Sequence, residues 1–158
     1  MCLQTKDLKV FKTPSTKTKV GYKVFAICEE QDKGANYKLR SLYRSSQQEQ
    51  FQLATWYTDT NDAMLESVGM SEEDSSTVLV CLDYDSYPAG FHIYTNKKDA
   101  KRLLSQEFHS PILTEYKVFK VIYEQVVAKG KDSIWLHRWI GFRYSPTIVV
   151  AKRMCIMP

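Results

Sequence analysis

The sequence predicts an α+β fold: a single domain on a bent, mostly antiparallel β-sheet, with one main helix and one short helix. Three observations carry that expectation. β-Branched and aromatic residues gather in short runs bounded by turn residues. Only two stretches show helical spacing, and strands and helices do not alternate as a parallel βαβ sheet requires. At 158 residues, with 44% hydrophobic and 25% charged residues, the chain has the length of one domain and the composition of a folded one.

Residues 1–18 are polar, rich in Lys and Thr and interrupted by Pro14; they read as a basic N-terminal arm with one short extended segment, Leu8 to Phe11. Residues 19–158 make up the domain. In 20–28, Val20, Tyr22, Val24 and Ala26 alternate with Gly21, Lys23, Phe25 and Ile27, and both sets are largely apolar, which predicts a central strand. Segments 37–43 and 49–57 predict two further strands. The short helix falls at 60–70, where Thr60 or Asn61 can cap it, Met64, Leu65 and Val68 share a face, and Gly69 can end it. An acidic, serine-rich loop at 71–76 leads to a short strand at 77–82.

Pro88 and Gly90 then punctuate a turn before the strand Phe91–Tyr94. Thr95 or Asn96 caps a helix over 97–108, with Asp99 in its first turn and Ala100, Leu103 and Leu104 on its buried face. The longest β-like run spans 116–129 and ends at Gly130. An aromatic and basic stretch at 135–144 precedes a last strand at 147–156. Tyr22-Lys23-Val24-Phe25 recurs at Tyr116-Lys117-Val118-Phe119, which is either a duplicated half or a coincidence among common β-formers.

A formal charge of +4 is mild and forms no long run, so dedicated nucleic-acid binding is not indicated. Cys2, Cys28, Cys81 and Cys155 show no CxxC or Cys/His zinc spacing, and no metal is expected. The last three lie in apolar strands and read as small buried hydrophobes in a reducing compartment. With no apolar run long enough to span a bilayer and no signal-peptide core, the expectation is a cytoplasmic protein without a membrane partner. Walker, GxGxxG, GxSxG and HExxH motifs are absent, and no cofactor is expected.

The candidate ligand site is the turn–strand–helix element itself. Gly90 permits close backbone approach, His92 and Tyr94 share a strand face, and Asn96 opens a helix N-terminus whose N–H groups favour an anion. Arg40 and Arg44 could add guanidinium forks. A second basic and aromatic group comprises Lys131, His137, Arg138 and Arg143 with Trp135, Trp139 and Tyr144. Cys2 would offer a thiol beside a free amine if Met1 were removed.

Met1-Cys2-Leu3, Tyr22-Lys23-Val24, Gly90-Phe91-His92 before Asp99-Ala100, and Val149-Val150-Ala151-Lys152 together resemble a loosely defined group of uncharacterised phage and gut-bacterial proteins. That resemblance implies a small intracellular accessory or virus–host protein. Gly90 to Thr95 followed by Asp99-Ala100 is also similar to an element of ADP-ribosyltransferase-like folds, which would imply an NAD-using enzyme. The first strand lacks the His or Arg of those folds, no Ser-Thr-Ser motif follows, and only Glu124 could stand in for their catalytic Glu. The expected function is therefore a binding or interaction module for a phosphate-bearing, nucleotide-like ligand or a protein partner. The alternative is an ADP-ribosyltransferase-like enzyme.

Overall fold

The computed structural model describes residues 3, 7–31, 36–41, 50–66, 86–107, 115–132 and 146–158. Chain order is β1 (Lys9–Ser15), β2 (Lys19–Gln31), β3 (Asn36–Ser41), β4 (Trp56–Thr58), β5 (Met64–Glu66), β6 (Ser86–Pro88), β7 (Phe91–Tyr94), α1 (Lys97–Glu107), β8 (Glu115–Lys131) and β9 (Thr147–Ile156). All pairings between these strands are antiparallel, and an isolated bridge, Leu53 to Ile156, is parallel. One helix accompanies them among the described residues, so the domain is dominated by its sheet.

The frame is built on β8, which pairs with β2 along its first half, from Glu115↔Ile27 to Tyr123↔Lys19. Its second half pairs with β1 on that same edge, while β9 runs along the other edge from Ile156↔Val121 to Thr147↔Lys131. Between the halves β8 bends: Gln125 has φ 55° and the β9 register slips between Val126 and Ala128, a bulge that increases local twist. β7 pairs with β9 over Phe91–Tyr94 and with β2 at Tyr22↔Tyr94. The ring β8–β2–β7–β9–β8 thus closes through a single bridge. Gly21 permits that closure, since a Cβ there would lie 2.4 Å from Ile93 Cγ2 and 2.9 Å from the Tyr94 carbonyl oxygen.

Two cores lie on opposite faces of this sheet. Phe25, Phe51, Phe91, Ile93, Val121, Tyr123 and Ile156 form the first, where Phe51 makes edge-to-face contacts with Phe25, Phe91 and Tyr57. Val24, Tyr94, Ile148 and Val150 form the second, covered by Ala100 and Leu103 of α1. Leu103 is buried and Leu104 half-buried, so the helix turns its apolar stripe slightly toward Leu103.

The two Tyr-Lys-Val-Phe segments are direct neighbours, centred on Val24↔Val118, with Lys23 opposite Phe119 and Phe25 opposite Lys117. Their environments differ: Lys23 is buried, whereas Lys117 is exposed and pairs with Glu115 at 3.3 Å.

The short helix expected at 60–70 is not formed over its described part. Asp59 Oδ1 accepts the Asn61 N–H at 2.9 Å, and Asn61 Oδ1 accepts the Ala63 N–H at 3.0 Å. These side chains take the N–H groups two residues on, which competes with helix nucleation. Met64–Glu66 then pairs with Ser86–Pro88 as a second, two-stranded sheet. The segment through residue 18, read as an arm, supplies β1 to the main sheet. The expected strand at 77–82, the stretch 135–144, Cys2, Cys81 and Arg44 lie outside the described residues. No helix of the described residues is long and apolar enough to cross a membrane.

Candidate functional site

Gly90 immediately precedes β7 and His92 and Tyr94 lie on it, as the sequence implies, but the strand is buried on both faces. His92 is 1% exposed. Its Nε2 lies 3.2 Å from the Tyr87 hydroxyl, which itself accepts the Leu3 N–H at 3.3 Å. The hydroxyl is thus shared between the Leu3 N–H and the imidazole. Nδ1 faces the Gly90 carbonyl without reaching hydrogen-bond geometry. Burial first, and then the nearby Lys23 charge, push the imidazole down to about 3. His92 is a neutral ring inside the core.

Tyr94 is equally buried, its hydroxyl donating to Asp132 Oδ2 at 3.2 Å. Asn96 caps α1: its Oδ1 accepts the Lys98 N–H at 2.8 Å, occupying one of the N–H groups an anion would use. Arg40 is exposed on β3 opposite Ala26, about 13 Å along β2 from the Tyr22↔Tyr94 bridge at the usual strand rise. The structure thus keeps Gly90, His92, Tyr94 and Asn96 together as packing and capping groups and places Arg40 elsewhere. Arg44 is outside the described residues.

Lys23 is a residue the sequence reading passed over. It lies between Gly21 and Phe25 on the first core face and is 3% exposed. Its Nζ donates to the His92 carbonyl oxygen at 3.1 Å and stands 5.8 Å from the Phe25 ring centroid. No carboxylate among the described residues pairs with it, and burial pushes the ammonium down to about 8. A lone lysine within the apolar run Tyr22 to Ile27 was the available signal. A second buried charge, Asp59, leaves Oδ2 without a partner, while its N–H donates to the Lys152 carbonyl and Lys152 Nζ reaches the Asn61 carbonyl. The described residues hold no group of three His, Cys, Asp or Glu side chains suited to a metal ion.

The outer face beside α1 has a different character. Cross-strand register aligns Val20, Ile122, Cys155 and Trp56 in one row across β2, β8, β9 and β4. Val20 is 48% and Trp56 36% exposed, with Cys155 buried between them and its thiol pushed up by burial. Directly beside it runs a polar row. Glu124 accepts from Thr18 Oγ1 at 2.7 Å and from Arg153 at 3.1 Å, and the Arg153 guanidinium stacks 4.6 Å from the Trp56 ring centroid. Glu124, the expected stand-in for a catalytic Glu, is thus held in an ion pair on this outer face.

Comparison with family models, curated proteins and solved structures finds no match for the chain. The functional reading therefore rests on the geometry.

Proposed function

We propose that the chain is a non-enzymatic interaction module that docks a protein partner on this outer face. The observation that carries the reading is the Val20–Ile122–Cys155–Trp56 row, an apolar band four strands wide whose two ends stay in water next to a core already covered by α1. At the usual interstrand spacing it spans three steps, about 14 Å. Trp56 is pre-ordered by Arg153, and Arg153 by Glu124, so an aromatic anchor is presented at little entropic cost.

A phosphate-bearing ligand, the other partner expected from the sequence, has less support. His92 and Tyr94 are buried, Asn96 serves its own helix, and the Arg153 fork is already engaged. The test is a photo-crosslinking side chain at position 56, with position 64 as control, because Met64 is exposed and apolar but lies outside the row. A discrete adduct from position 56 that Val20→Asp abolishes is expected. Equal adducts from both positions, or none from 56, would overturn the reading.

A further inference from the structure

Resting on that reading, we infer that the partner presents an acidic segment with apolar side chains to the Trp56 row. The charges on the face decide this. Lys120 is exposed opposite Tyr22, one strand step from Ile122, and has no ion pair among the described residues. α1 packs over the same face and turns Lys97, Lys98 and Lys101 to solvent. The two described carboxylates nearby offset them only in part: Glu124 is bound to Arg153 and Thr18, and Asp99, in the first turn of the helix, interacts with the charges of Lys131, Arg102 and Lys98. Among the described residues, Lys97, Lys101 and Lys120 thus leave the apolar row beside a field of net positive charge. Such fields favour partners of opposite sign and speed their encounter.

Two other occupants fit less well. A second copy of the chain placed face to face by two-fold symmetry would bring this patch of lysines against its own image. A nucleic acid could meet these lysines with its phosphates, but stacking its bases needs an open aromatic face, whereas Arg153 is committed to Glu124 and covers one side of Trp56. Val20 and Ile122 offer a phosphate backbone nothing. Carboxylates flanking aromatic or aliphatic side chains match both components: the apolar groups cover the row while the acids meet Lys120 and the helix lysines.

The probes are labelled peptides of about ten residues, long enough to cross the row when extended, in which Phe alternates with Glu, Gln or Lys. Binding is read by fluorescence anisotropy on the full chain, on Lys120→Glu and on Trp56→Ala, both exposed positions, with circular dichroism confirming that each variant is folded. The Glu peptide should bind at least about tenfold tighter than the Gln peptide, and raising salt from about 50 to about 500 mM should erase the difference. Lys120→Glu should shrink the same preference, and Trp56→Ala should weaken both peptides alike. Equal affinity for Glu and Gln peptides overturns the acidic preference and leaves the docking face standing. Preference for the Lys peptide, or tighter binding of oligo-dT than of the Glu peptide, overturns the inference outright. Failure of all three peptides to bind, or binding insensitive to Trp56→Ala, overturns the docking face itself.

Discussion

Lys23 Nζ donates to the carbonyl oxygen of His92 at the point where β2 and β7 stop pairing, so an ammonium takes the place of the next ladder hydrogen bond. The substitution holds the diverging strands together, but it buries a charge with one acceptor for three donors. Stability should therefore depend on the protonation of this one side chain. Burial lowers its folded value from 10.5 to about 8, so the unfolded chain binds more protons between those limits and stability rises with pH across them. The full difference is at most about 3 kcal/mol. Cys155 and Tyr123, both raised by burial, pull stability the other way in the native chain and in Lys23→Met alike, so the difference in urea midpoint between the two should move in favour of the native chain from pH 8 to pH 10.5; a difference that stays constant would refute the assignment.

His92 imposes the corresponding limit on the acid side. Its folded value, about 3, lies below the ordinary 6.5, so its contribution is intact above 6.5 and is lost as pH falls toward 3. The ring resonances of His92 should not titrate above about pH 4. Midpoint titration near 6.5 would mean that the ring is solvated.

Tyr87→Phe removes the partner of His92 Nε2 and the acceptor of the Leu3 N–H together. Two buried groups lose their partner, so the cost should be about 1–3 kcal/mol by urea unfolding. A neutral result would show that both groups are satisfied without the hydroxyl.

On α1, Leu103→Ala should cost about 2–5 kcal/mol and Leu104→Ala distinctly less, because only Leu103 is fully buried. Reversed order in the two unfolding midpoints would mean that the helix is rotated about its axis.

Gly21→Ala places a methyl against Ile93 and the Tyr94 carbonyl, one residue from the bridge that closes the ring. Neither neighbour yields freely: one is a packed core side chain and the other is backbone. A loss of about 1–3 kcal/mol is expected, with faster amide exchange concentrated in β7. Unchanged exchange there would separate closure from this contact.

Elements whose periodicity is unbroken were legible from residue patterns alone. The last strand, 147–156, is bounded in sequence as in space, and α1 runs from the expected start at Lys97 through Glu107, where the described residues stop. The region after β4 misled because Thr60, Asn61 and Gly69 are good helix punctuation, and nothing local reveals that Asp59 and Asn61 have already taken the N–H groups of a turn. The candidate site was legible only in its order along the chain. His92 looked available because its strand follows Gly90 and precedes a cap, whereas burial on both faces comes from the two cores packed against that strand. The Val20–Trp56 row has no local signature, since it exists only once four strands are placed in register.

Because β9 follows every other described strand in the chain and supplies pairing to β8, β7 and β4, all of them wait for it during synthesis. Until 147–156 has left the ribosome, one edge of β8 stays open and β7 has only its single bridge to β2. Such an edge is a template for wrong partners, and molecular chaperones would meet this protein late rather than early in translation. Nascent chains stalled before 147 should therefore be digested rapidly by protease, and chains released past 156 should resist it. Resistance acquired before β9 emerges would show that the remaining strands can close without it.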